Sequence, residues 1–185
     1  MRIRDIILAL IILSMLFITS CKEKSTEPNY RIGGRGPAGG LIFYDKGHVS
    51  EGWRYLEVAS ADEGSFQWGV NGINIEGTLT DIGTGKANTQ AIIATLSELG
   101  ETDMAAQICE NKTYNGFSDW FLPSRDELNE MYYNQYLKSF KPSFYWSSSQ
   151  KDTNLAWYQD FGFGDDVLYD PSKNTTLWVR AIRAF

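Results

Sequence analysis

The 185-residue chain predicts an α+β domain, in which strand patterns open and close the sequence and helix patterns occupy its middle. Three observations carry that class. LIFYD and WRYLEV follow turn-rich stretches near the start and read as strands. QAIIATLSEL, TDMAAQICEN and the run after Leu122-Pro123-Ser124 carry helix signals. FYWSSS, LAWYQDF and LWVRAIRAF then return to strand patterning up to the last residue.

The elements follow in order. RIGGRGPAGG has five glycines in ten residues and enters a first strand over LIFYD, whose apolar side chains on both faces predict a central, buried strand. WRYLEV supplies a second strand, and the Gly- and Asn-rich region from Gly64 to Asn88 is a long excursion with turns and short strands. Within it, IGTGKANT fails as a phosphate loop: Thr80 stands where the first glycine belongs, and Ala87 follows Lys86 where a hydroxyl should bind Mg²⁺. Asn88 or Thr89 is placed to cap a helix with an apolar stripe of Ile92, Ile93, Leu96 and Leu99, closed by Gly100. Thr102 starts a second, short helix containing Cys109.

GFSDWFLPSRDELNE, residues 116–130, holds four carboxylates and invites a catalytic reading. Its spacing says otherwise. Ser124 and Glu127 fit S-x-x-E, in which the Ser oxygen accepts from the N3 amide and the Glu reaches back to the cap. Asp126 and Glu127 suit the positive end of that helix, and Leu128, Met131 and Tyr132 form its inward face. Farther on, QKDTN joins two strands as a hairpin, and GFGDD turns the chain again. In the final strand Arg180 and Arg183, three apart, point to opposite faces unless a bulge intervenes, and at least one should meet a carboxylate.

The N-terminus is an address. Arg2 and Arg4 precede an apolar run from Ile6 to Ile18, broken only by Ser14 and too short to span a bilayer, which takes about 20 residues. The run ends in Ile18-Thr19-Ser20-Cys21, which resembles the lipobox of bacterial lipoproteins and implies lipidation at Cys21. KEKSTEPN then reads as a tether, so the expected organisation is a signal over 1–21, a flexible link over 22–31 and a single domain over 32–185. The expected location is the bacterial cell envelope, anchored by lipid to the outer membrane. With Cys21 assigned to lipid, Cys109 has no disulfide partner and reads as a small buried hydrophobe. Beyond residue 21 there are 15 basic and 22 acidic residues, a net charge of −7, which argues against bulk nucleic-acid binding.

Several motifs in order carry a wider resemblance: Gly36-Pro37-Ala38-Gly39-Gly40, Gly52-Trp53-Arg54-Tyr55-Leu56-Glu57, Asp119-Trp120-Phe121-Leu122-Pro123-Ser124 with Glu127-Leu128, Tyr145-Trp146-Ser147-Ser148-Ser149, Ala156-Trp157 and Val179-Arg180-Ala181-Ile182-Arg183. Together they resemble the domain-of-unknown-function family typified by the C-terminal domain of the Legionella collagen-like adhesin. That resemblance implies a C-type-lectin-like fold, with two to three helices flanking small antiparallel sheets and the first and last strands paired. The helix entry is also similar to that of formylglycine-generating enzymes, whose cysteine or metal chemistry has no counterpart set here.

The function expected is a non-catalytic, envelope-anchored binding or adhesion module that recognises a glycan or an envelope or host protein. The surface residues singled out are Trp146, Trp157 and Tyr158, whose aromatic faces suit sugar rings, with Asp165 and Asp166 as carboxylates; taken singly, Trp146 and Trp157 each read more readily as core. No catalytic residue, metal or cofactor is assigned. Asp165, Asp166 and Asp170 form an oxygen-rich turn, whereas Glu27-Pro28-Asn29 matches a mannose-type calcium triplet only in letters, because it lies in the tether. Two alternatives stand beside this reading: a structural lipoprotein docked on an envelope complex, and a carboxylate-based enzyme. The lone His48 sits in a Gly-flanked loop and offers little to the latter.

Overall fold

The computed structural model describes residues 29–134, 140–162 and 171–185; Cys21, Asp165, Asp166 and Asp170 lie outside them. In chain order the elements are β1 (Leu41–Ser50), β2 (Trp53–Val58), β3 (Gly64–Gln67), α1 (Gly85–Glu98), α2 (Ala105–Glu110), α3 (Arg125–Tyr133), β4 (Phe144–Gln150), β5 (Ala156–Asp160), β6 (Thr176–Val179) and β7 (Ile182–Ala184). They form two sheets, ordered β1-β2-β7 and β3-β6-β4-β5. All pairings are antiparallel except β4 with β6. The α+β class is therefore as expected, and the first and last strands meet in one sheet with β2 between them.

β1 is an edge strand and not a central one. Its two-sided apolar pattern has another cause: the glycine-rich entry folds back along it, with the Gly33 amide donating to Ile42 O and the Ile42 amide to Gly34 O, 2.8 and 2.9 Å. That segment covers the edge that a neighbouring strand would otherwise take. It also explains two of the glycines. A Cβ on Gly36 would run into the Glu57 carboxylate, and one on Gly40 into the Val58 carbonyl.

Two clusters make the core. One gathers Trp68, Ile92, Leu96, Cys109, Trp120 and Trp146 between α1, α2 and the four-stranded sheet. The other gathers Phe43, Leu56, Phe121, Leu128, Met131 and Tyr145 between α3 and the three-stranded sheet. β4 divides them, sending Trp146 into the first and its neighbour Tyr145 into the second, as strand alternation requires.

The helix starts differ from expectation in two places. α1 begins at Gly85, a turn earlier than Asn88 or Thr89, because both side chains are buried and engaged elsewhere. Asn88 exchanges hydrogen bonds with the Leu79 backbone, and Thr89 Oγ accepts from the Leu122 amide at 3.0 Å. Both tie α1 to distant chain. Leu99, read as part of the apolar stripe, is instead 46% exposed at the helix end. α2 begins at Ala105 rather than Thr102, since Asp103 takes φ 60° and cannot continue a helix; Gln107 Oε1 accepts from the Met104 amide and closes that end. α3 matches its expected entry: the Glu127 amide donates to Ser124 Oγ, and the Ser124 amide donates to Glu127 Oε2 at 2.7 Å.

The last strand is two strands. The ladder breaks at Arg180 and Ala181, so β6 serves the four-stranded sheet and β7 the three-stranded one. Both arginines are buried, and both meet carboxylates: Arg180 pairs with Asp62 and Arg183 with Glu57 and Asp119.

Candidate binding cleft

Four of the motifs that carry the sequence resemblance converge on Arg183. Its Nη1 donates to Glu57 Oε1 at 2.7 Å, while Nε and Nη2 grip both oxygens of Asp119 at 2.8 and 2.9 Å. The same Glu57 carboxylate accepts from the Ala38 and Gly40 amides, 3.1 and 3.0 Å. Glu57 is wholly buried, and the network holds the glycine turn, β2, the 119 loop and β7 together. Burial favours the neutral form of Asp119, yet the hydrogen bonds and charge of Arg183 hold its carboxyl below the usual range.

A second buried carboxylate organises the other side of that sheet. Besides the Ser124 cap, Glu127 accepts from the Gly83 amide at 2.9 Å, and the Gly85 amide also bonds it. One carboxylate therefore closes the N-termini of both α1 and α3. A Cβ on Gly85 would collide with it. Burial pushes the Glu127 carboxyl up to about 7, against the pull of those amide donors in the opposite direction.

Beside Glu127 lies a cleft of about 380 Å³ between the three-stranded sheet and the first turn of α1. Leu56, Phe121 and Ala184 supply its apolar lining, Trp53 an aromatic wall, and Glu51, Lys86 and Gln90 its polar groups. The last three are exposed. Trp53 is held in place: the Lys46 ammonium lies 3.6 Å from its ring centroid, and Gly83, at φ 94°, packs so close that a Cβ there would come within 3.1 Å of the indole. Behind this wall Arg54 and Asp45 form a two-pronged pair at 2.7 and 2.9 Å, and the Arg54 hydrogen bonds hold the Asp45 carboxyl below its usual range.

Of the residues singled out from sequence, Trp146 lies in the core, while Trp157 and Tyr158 are half-buried. Trp146 is fully buried, and its indole N–H donates to the Phe66 carbonyl at 3.0 Å, so it is core and presents no face to a ligand. Trp157 is half-buried, with the Arg125 guanidinium 5.2 Å and the Lys151 ammonium 5.1 Å from its ring. Tyr158 packs edge-on against Phe144 and borders the core that contains Trp146. Asp165 and Asp166 lie outside the described residues. His48 is exposed in the β1–β2 hairpin, and burial pushes the Cys109 thiol up, well away from reactivity. Among the described residues no group of three or more His, Cys, Asp or Glu is arranged to hold a metal ion. Among them, too, no helix is long and apolar enough to cross a membrane.

Sequence reasoning missed Trp53, Lys86 and Gln90. Lys86 stands in the IGTGKANT stretch that fails as a phosphate loop, and Gly52-Trp53 follows the hairpin turn; neither spacing announces that packing brings them together.

An α+β module with a small mixed aromatic and polar cleft, its buried charges consumed by scaffold, is the class of protein these features define. Residues 60–183 match the Lcl C-terminal domain family, and the chain belongs to that family. Among solved structures, it is similar to a fimbrial protein from Bacteroides ovatus, with a TM-score of 0.51 at 12% identity, covering 72% of this chain and 36% of that one. The chain thus matches about a third of that protein's length, and the likeness is one of fold. Among curated proteins none matches.

Proposed function

We propose that this chain is a lipid-anchored module of the bacterial cell envelope that binds a glycan or protein ligand and does no chemistry on it. The observation that carries the reading is the cleft beside Trp53, which offers one rigid aromatic wall, an apolar lining and a few polar groups of both signs. Membership of the Lcl C-terminal domain family supports an adhesin-like role, and the fimbrial neighbour is consistent with display outside the cell. The apolar run ending at Cys21 supports anchoring through that residue.

Glu127 is the feature that an enzymatic reading would use, being a carboxyl near neutrality that lines a cleft. Its geometry opposes that use. Oxygen Oε1 accepts from Gly83 and Oε2 from Ser124, so each oxygen is already engaged by a backbone donor that holds the helix starts.

The test is a broad glycan array probed with the full chain in a detergent that carries no sugar headgroup, with and without calcium. Selective binding supports the module. A blank array, followed by no specific capture from envelope or host-surface extracts, rejects it. Anchoring is checked separately, since Cys21→Ser should abolish palmitate labelling and membrane partition.

A further inference from the structure

We propose that the cleft between Trp53 and the first turn of α1 is a subsite for one neutral pyranose ring. This rests on the binding-module reading and gives it a place and a ligand class.

Size comes first. A volume of about 380 Å³ is at the small end for ligand pockets, so it suits a single ring better than an extended oligosaccharide or a partner's helix. Composition agrees. A pyranose presents apolar C–H faces and a girdle of hydroxyls that both donate and accept. The half-buried Trp53 and Ala184 match the former, while Lys86 as donor, Glu51 as acceptor and Gln90 as both match the latter.

Charge selects against an anion. The lining carries one lysine and one exposed glutamate, and the buried Glu127 carboxyl lies beside them. A helix N-terminus is ordinarily an anion site, but here the Gly83 and Gly85 amides are already bound to Glu127. The protein fills that position itself. Preorganisation is the last element: Trp53 already packs against Lys46 and Gly83, so binding orders little that is not already ordered.

The experiment is a heteronuclear NMR titration of the ¹⁵N-labelled full chain in phosphocholine detergent. The probes are N-acetylglucosamine, methyl α-mannopyranoside and methyl β-galactopyranoside, with a heparin fragment as the anionic arm. Saturable shifts are expected for at least one neutral sugar at the Trp53 indole N–H and at the amides of Gly83, Lys86 and Ala87. Gln90→Ala should weaken them by about tenfold. Ala87→Phe, at an exposed helix position lining the cleft, should abolish them while leaving the rest of the spectrum in place.

No shift at these groups with any neutral sugar overturns the proposal. So do shifts there with heparin alone, or neutral-sugar shifts that survive Ala87→Phe. Array binding that persists in Ala87→Phe would keep the module reading and reject this subsite, which separates the two failures.

Discussion

Glu127 shows how one side chain can serve as a local signal and a long-range tie at once. The S-x-x-E spacing predicted its reach to Ser124, and the geometry confirms that bond at 2.7 Å. Nothing in the spacing announced Gly83, which is 44 residues away and is brought alongside only by tertiary packing. Because the folded-state carboxyl sits at about 7 and an unperturbed one at 4.5, the native state binds this proton more tightly than the unfolded chain. The contribution to stability is therefore fully present below pH 4.5 and is lost as pH rises to 7, by ~3 kcal/mol in all. Chemical denaturation of wild type and Glu127→Gln across that range should show the wild type losing stability relative to the variant as pH rises; parallel curves would place the proton elsewhere. Glu127→Ala removes the shared cap and strands buried amides, and should cost about 2–4 kcal/mol at pH 6 by the same measurement.

Strands and helices were legible where their own side chains decided them. The α3 cap, the β4–β5 hairpin and the β2 strand follow from local pattern, and the Asp152 carboxylate accepting from the Asn154 and Leu155 amides shows why QKDTN turns. Errors arose where a distant segment intervened. β1 looked central because the glycine entry buries its edge, and the closing strand looked continuous because both of its halves are apolar, although they join different sheets. The pairing expected for Arg180 or Arg183 holds for both. Glu57 is the sharpest test of that network, since it joins β2 to β7 and to the 38–40 turn. Glu57→Ala leaves the Ala38 and Gly40 amides and part of Arg183 without partners in a buried setting, and should lower unfolding free energy by about 3–5 kcal/mol. A loss below 1 kcal/mol in urea would show the network to be dispensable.

At the scale of the molecule, the long excursion after β3 is held by a buried cation. The Lys173 ammonium donates to the Ile73 carbonyl at 2.7 Å and to Gln150 Oε1 at 2.6 Å and lies 4.9 Å from the Trp68 ring centroid; burial lowers its pKa to about 8. Lys173→Met should therefore speed hydrogen exchange through residues 70–78 while leaving the β1–β2 hairpin unchanged, and equal protection in both proteins would rule the clasp out. Tyr30, which precedes the first strand, is closed onto the C-terminal residue as well, its ring edge-on to both Tyr55 and Phe185. The fold class and most elements could be read from sequence because they rest on periodicity and caps. The cleft could not, because its lining comes from β2, Gly83 and the start of α1, Phe121, Glu127 and β7, segments that share no spacing rule. Trp146 takes the core alternative for a related reason: a tryptophan in a strand looks the same in sequence whether it faces solvent or core, and here β4 has core on both sides. The measurement that bears most directly on the account is binding of the full chain to a glycan array, wild type beside Ala87→Phe. Selective binding that the substitution abolishes is the predicted result; binding that survives it would contradict the placement of the ligand in the cleft, and a blank array from both proteins would contradict glycan recognition.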